Sequence, residues 1–82
     1  MNIQIKPVVT EKAVMMIESQ NVLTFQTDQK VTKDKIRKEI EELFKVKVEK
    51  VRTLIRGNKK YAYVKLKSKF PAIDIATRLG II

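Results

Sequence analysis

The sequence pattern of residues 46–67 predicts a β-hairpin, and this hairpin restricts the folds that the rest of the chain can adopt. Residues 46–56 place Val, Thr, Leu and Ile among charged side chains, as a long strand does, and residues 61–67 form a second strand pattern. Gly57 and Asn58 give a turn signal between them. Because a short turn joins the two strands, they must be antiparallel.

The remaining residues complete an α+β pattern. Residues 2–6 and 22–27 alternate as strands, and Pro7 ends the first because it cannot donate to a ladder. Helix patterns cover residues 11–20, 33–45 and 71–79. The predicted order is strand–helix–strand–helix–strand–strand–helix. An antiparallel four-stranded sheet with helices packed on it would bury all the apolar faces of these elements.

Local signals mark the helix ends and the buried faces. Thr10 and Thr32 are suitable N-caps, Pro71 suits a first helical turn, and Gly80 suits a C-cap. The helix residues expected to face inward are Ala13, Met16, Ile17 and Gln20, then Ile36, Ile40, Leu43 and Phe44, then Ile75, Ala76 and Leu79. The strand residues expected to face inward are Leu23, Phe25, Ala62, Val64 and Leu66.

Size and composition exclude several classes of function. The 82 residues allow one domain, 1–82, and the absence of cysteine and histidine removes thiolate metal sites and the commonest general base. The acids at Glu39, Glu41 and Glu42 are interleaved with lysines, as on a solvated helix. We therefore expect no enzyme, no metal and no cofactor. No apolar run is long enough to span a membrane, and no signal-peptide pattern opens the chain, so a cytoplasmic protein is expected.

The positive charge is concentrated in the second half of the chain. The net charge is +9, yet residues 1–49 are nearly balanced, with 9 basic and 8 acidic side chains. From Lys50 to Lys69 there are eight basic residues and no acid. A patch of one sign predicts a polyanionic partner, although a merely solvated basic surface remains the alternative.

Two tyrosines on the same hairpin favour RNA as that partner. Lys and Arg neutralise phosphates, whereas Tyr61 and Tyr63 can stack on unpaired bases. DNA is disfavoured because the best helix, residues 33–45, carries acids that would repel a phosphate-lined groove. With Asn58, Lys59 and Lys60 expected at the hairpin tip, the candidate RNA-binding residues are Lys6, Lys12, Lys50, Arg52, Arg56, Asn58, Lys59, Lys60, Tyr61, Tyr63, Lys65, Lys67 and Lys69.

Three separated motifs carry a family resemblance. Residues 6–13 (KPVVTEKA) resemble the N-terminal motif of the universal large-subunit ribosomal protein L-twenty-three (L23) family, and residues 59–66 (KKYAYVKL) are similar to its hairpin signature. Residues 72–82 (AIDIATRLGII) resemble the ending of its archaeal and eukaryotic members. The turn at 57–60 lacks the long loop with which bacterial members reach into the exit tunnel. The combination is similar to archaeal members.

The resemblance implies a location and partners. Family members bind large-subunit ribosomal RNA beside the mouth of the polypeptide exit tunnel, in the cytoplasm, and contact the neighbouring ribosomal protein L-twenty-nine. They also dock the signal recognition particle and ribosome-associated chaperones. Glu11 matches the acid of the family's docking motif, and it is equally a favourable first-turn acid of a helix.

Three alternatives stay open at this stage. Residues 60–66 approach the sheet motif of an RNA-recognition-motif protein, but the motif's glycine is missing and the element order differs. A protein-interaction module would bind RNA only weakly. A small hydrolase such as an acylphosphatase would need a phosphate-cradling loop, which the sequence lacks.

Overall fold

A computed structural model describes residues 5–81 and shows the predicted element order. The elements are β1 (Ile5–Pro7), α1 (Glu11–Gln20), β2 (Val22–Asp28), α2 (Lys33–Phe44), β3 (Val48–Arg56), β4 (Lys59–Leu66) and α3 (Ala72–Arg78). The strand predicted over residues 2–6 is seen only from Ile5, because residues 2–4 lie outside the described range. No helix within residues 5–81 has the length and apolar character needed to cross a membrane.

The four strands form one antiparallel sheet in the order β1-β2-β4-β3. β4 is therefore an inner strand that lies between β2 and β3, and β2 and β3 run parallel to each other. Parallel strands need a crossover connection, and α2 supplies it. The register aligns Phe25 with Ala62 and Ala62 with Thr53, so side chains of three strands lie side by side on one face.

The hairpin turn is tighter than the predicted span of residues 57–60. Only Gly57 and Asn58 form it, and Gly57 adopts a φ of +60°, a conformation open to glycine at little cost. Lys59 and Lys60 were expected at the tip, but both belong to β4. Since strand side chains alternate between faces, these two lysines point to opposite sides of the sheet.

Helices α2 and α3 cover one face of the sheet and form the core with it. From α2, Ile36 and Ile40 are fully buried, and Phe44 stacks on Phe25 with ring centroids 6.5 Å apart. The inward position predicted for Leu43 is wrong, because its side chain is 63% exposed. The buried stripe follows the every-fourth-residue row through Ile36, Ile40 and Phe44, and Leu43 lies beside that row.

The caps predicted at Thr10, Thr32 and Gly80 are confirmed, whereas Pro71, predicted in the first turn of the last helix, is the extended residue just before α3. The hydroxyls of Thr10 and Thr32 accept from the backbone N–H groups three residues later, as N-cap side chains do. Gly80 follows α3 with a φ of +75°, and the backbone bond from Ile81 to Ala76 completes a Schellman motif.

Asn21 connects three parts of the chain where α1 ends. Its backbone adopts a left-handed conformation with φ of 58°. Its side-chain amide donates to the carbonyl oxygens of Leu66 and Phe70, each at 3.1 Å, while its side-chain oxygen accepts from the N–H of Ala72 at 2.6 Å. The predicted helix ends at residue 20, and the structure shows that the next residue, Asn21, joins α1 to the segment between β4 and α3.

Candidate nucleic-acid interface

The face of the sheet opposite α2 and α3, called the open face here, carries the tyrosines and most of the basic hairpin residues. Alternation along β4 buries Ala62, Val64 and Leu66 against the helices, and it sends the residues between them to the open face. The register extends the open face across β3, β2 and β1. Its residues include Lys6, Thr24, Gln26, Lys50, Arg52, Leu54, Arg56, Lys59, Tyr61, Tyr63 and Lys65.

Cross-strand rows place a cation opposite Tyr63 and an apolar side chain opposite Tyr61. Arg52 lies opposite Tyr63, and Tyr63 lies opposite Thr24 on β2. In the next row Leu54 lies opposite Tyr61. Directly opposed strand residues have Cβ atoms about 4.5–5.5 Å apart, close enough for neighbouring side chains to act on one ligand. The sheet therefore brings positive charge and aromatic surface together.

Helix α1 turns this surface into a groove. It packs beside β2 with Ala13 and Ile17 buried, while Lys12 and Met16 look onto the open face. Two hollows, of about 280 and 570 Å³, share Lys12, Met16 and Tyr63 in their walls. They are thus parts of one groove with α1 on one side and β3 on the other.

The groove shows residues that sequence reasoning missed. Met16 and Gln20 were expected to face the core, yet both line the groove, and Gln20 is exposed. Leu54, 42% exposed, and Thr24, 7% exposed, line it too. Strand alternation could have placed Thr24 and Leu54 on this face, but no local signal indicates that α1 packs beside β2 and borders it.

The charge on the open face is positive with little internal neutralisation. Glu49 and Lys65 form the one ion pair within residues 5–81, at 3.5 Å, and both side chains are about half exposed. An exposed pair of this kind contributes little and can exchange partners. Asp28 also lies on this face, but its carboxylate accepts from the backbone N–H of Lys30. The other cations of the groove are therefore available to an anionic partner.

Not every candidate residue belongs to this groove. Lys60 points to the covered side, where its ammonium donates to the carbonyl oxygen of Val31 at 2.7 Å. Lys67 and Lys69 lie beyond the end of β4 and line a separate hollow with Lys47. Asn58 is exposed in the hairpin turn. Lys6 also points to the open face, but it lies on the edge strand β1, at the opposite edge of the sheet from β3, and it lines neither hollow of the groove.

A separate, partly apolar patch lies on α1 and the residues just before it. Glu11 is exposed in the first turn, and a shallow hollow beside it is lined by Val9, Val14 and Met15. Val9 is 61% exposed and Met15 is 66% exposed. None of these four residues lines either hollow of the groove, and only Thr10 borders both this patch and the smaller hollow.

A comparison with protein-family models matches residues 2–74 to the model described as Ribosomal protein L23. The matched range leaves out only nine of the 82 residues. It contains both sides of the groove, the hairpin and Glu11. The alternative of an RNA-recognition-motif protein is not favoured, because that fold runs strand–helix–strand–strand–helix–strand and this chain does not.

Proposed function

We propose a function from one premise: the chain belongs to the ribosomal protein L23 family. The family consists of structural proteins of the large ribosomal subunit, and this chain is therefore a structural ribosomal protein rather than an enzyme. The finer proposal is that residues 1–82 act as one RNA-binding domain. In this proposal the open face contacts large-subunit ribosomal RNA.

One observation carries the proposal: the fold gathers cations and tyrosines on the face that α2 and α3 leave uncovered. Lys50, Arg52, Arg56 and Lys59 all point to this face, while the acids of α2 belong to a helix on the opposite one. Phosphate groups supply most of the attraction between a protein and RNA, so the uncovered positive face is the surface that RNA would approach.

The family and the short hairpin support a proposed position in the ribosome. We propose that the protein lies beside the mouth of the polypeptide exit tunnel, bound to the ribosome in the cytoplasm. The two-residue turn at Gly57 and Asn58 gives no long loop that could enter the tunnel. This short hairpin supports the archaeal type and a role at the rim.

Two protein contacts belong to the same proposal. The patch formed by Val9, Glu11, Val14 and Met15 would dock the signal recognition particle or ribosome-associated chaperones, because it offers an acid within exposed apolar surface. Exposed apolar residues that cluster are typical of protein interaction sites. Ribosomal protein L-twenty-nine would be the neighbour within the subunit. Both contacts rest on the family.

RNA binding is tested with a fragment of large-subunit ribosomal RNA at several salt concentrations. Replacing Lys50, Arg52, Arg56 and Lys59 with alanine should weaken binding. The slope of log affinity against log salt concentration, called the salt slope here, should become shallower by roughly 0.7–0.9 per lost phosphate contact. A matched control replaces four cations of α2, namely Lys33, Lys35, Arg37 and Lys38. An equal loss in both variants would show that net charge, and not the open face, binds RNA.

Factor docking is tested with ribosomes that carry Glu11→Ala. Binding of the signal recognition particle should fall, while melting of the isolated protein changes by no more than a lost helix-dipole interaction, about 0.3–1 kcal/mol. Glu18→Ala is the matched control, because Glu18 is an exposed acid of the same helix outside the patch. Normal docking of Glu11→Ala ribosomes would overturn the proposed role of Glu11.

A further inference from the structure

We propose that the groove between α1 and the hairpin binds one unstacked RNA nucleotide, with the base on Tyr61 and Tyr63 and the phosphates on the neighbouring cations. This inference rests on the proposed RNA binding and makes it specific. RNA could bind the open face through phosphates alone, with every base still stacked in a helix. The shape and chemistry of the groove favour an extruded nucleotide.

The groove has two chemically different ends. The smaller hollow is mostly apolar and aromatic, with walls that include Val8, Ala13, Met16, Leu54, Tyr61 and Tyr63. The larger hollow is mainly cationic: its walls include Lys12, Lys50, Arg52 and Lys65, with the single acid Glu49 paired to Lys65. Tyr63 borders both. A nucleotide has the same division, since its base is flat and apolar on its faces and its phosphates are anionic.

The apolar end is poorly explained by phosphate binding. Leu54 occupies an open-face position between Arg52 and Arg56, and 42% of its surface remains exposed. A third cation there would serve a purely electrostatic surface better. An apolar side chain beside Tyr61 instead provides a surface for a base, and stacking on aromatic rings is the usual way in which proteins hold unpaired bases.

The position of the tyrosines within the smaller hollow favours an unpaired nucleotide as the ligand. Lys12 and Met16 of α1 and Arg56 of β3 border the smaller hollow, with the tyrosine rings between them. An RNA double helix presents phosphates and riboses at its surface and keeps its bases inside. Only a bulged, looped or terminal nucleotide can place a base on Tyr61 and Tyr63.

A buried hydroxyl at the groove gives the site a polar group for base recognition. Thr24 borders the smaller hollow and is 7% exposed, and its hydroxyl makes no hydrogen bond to any residue between 5 and 81. A buried hydroxyl without a partner is unfavourable, commonly by about 1–3 kcal/mol. Rotation about its χ1 bond would offer the hydroxyl to a polar edge of a bound base.

The test compares two RNA duplexes that differ by one nucleotide. The first carries a single bulged fluorescent purine analogue, and the second is the same duplex fully paired. The protein should bind the bulged duplex about tenfold more tightly, and the fluorescence of the analogue should be quenched. Tyr63→Leu should remove the preference and the quenching, Tyr63→Phe should keep both, and Thr24→Val should weaken the preference.

A matched pair of neighbouring residues keeps the test informative if Tyr63→Leu folds poorly. Leu54→Ala changes an exposed residue of the groove, whereas Ile55→Ala changes an exposed residue on the other face of β3. Only Leu54→Ala should reduce the preference for the bulge. Equal, salt-dependent binding of the two duplexes by the natural protein would overturn the nucleotide site and leave the proposed RNA binding intact. Absence of salt-dependent binding to either duplex and to the ribosomal fragment would overturn both.

Discussion

The two faces of the sheet are built from the same four strands and differ in almost everything else. The covered face carries Leu23, Phe25, Ala62 and Val64, which are at most 2% exposed. The open face carries cations and two half-buried tyrosines. Because successive strand residues alternate between faces, one short sequence can encode a core and a binding surface at once. Stability and recognition should therefore be separable by single substitutions.

The separation is sharpest between neighbours in the sequence. Lys59 and Lys60 are chemically identical, yet the first points to the open face and the second is hydrogen-bonded to Val31 on the other. Leu54 and Ile55 divide in the same way. The face to which a strand residue points, odd or even along the strand, therefore predicts its role better than its distance from the hairpin tip does.

The largest effect is expected from breaking the covered face. Phe25→Ala would remove a ring that stacks on Phe44 in the core, and such changes cost about 3–5 kcal/mol of unfolding free energy. Denaturant unfolding measures the loss. The milder Ile40→Val should cost about 0.5–1.5 kcal/mol and leave the salt dependence of RNA binding unchanged. A changed salt dependence in folded Ile40→Val would show that the two faces are coupled.

A smaller loss of stability is expected at Asn21, which joins the end of α1 to the segment between β4 and α3. Asn21→Asp keeps the size of the side chain and removes the donor to the carbonyl oxygens of Leu66 and Phe70. Leaving partly buried carbonyls without a donor should cost about 1–3 kcal/mol. Thermal unfolding measures this, and Asp is chosen because it also tolerates the left-handed backbone. Stability equal to that of the natural protein would show that these bonds contribute nothing.

The smallest effects on stability are expected at Lys59 and Lys60, and they compare the two faces of the sheet most directly. Lys60→Ala should cost about 1 kcal/mol of stability by removing the bond to Val31, with no change in the salt dependence of RNA binding. Lys59→Ala should leave stability within about 0.5 kcal/mol and lower the salt slope by roughly 0.7–0.9. The reverse assignment of the two effects would contradict the open-face proposal.

Local signals in the sequence predicted much of this fold. The element order, the hairpin and the caps at Thr10 and Thr32 depend on alternation, helical periodicity and single side chains, and all are confirmed. The strand order β1-β2-β4-β3 was not predicted, because pairing between distant strands has no short-range signature. The exposure of Leu43 was missed for a similar reason, since it depends on how α2 lies on the sheet.

The candidate site was predicted less completely than the fold. Parity along β4 correctly placed Tyr61, Tyr63 and Lys65 on one face. Lys60 was misplaced at the tip because the turn was taken as four residues instead of two. The groove itself could not be foreseen, since it depends on how α1 packs beside β2, with Met16 and Gln20 lining the hollow next to the open face.

The most direct test of the two-face account compares two double variants with the same net charge. Arg52→Ala with Arg56→Ala removes two cations from the open face, and Arg37→Ala with Lys38→Ala removes two from α2 on the covered side. With large-subunit ribosomal RNA, the first pair should flatten the salt dependence by roughly 0.7–0.9 per contact, and the second should leave it unchanged. Equal flattening by both pairs would contradict the account.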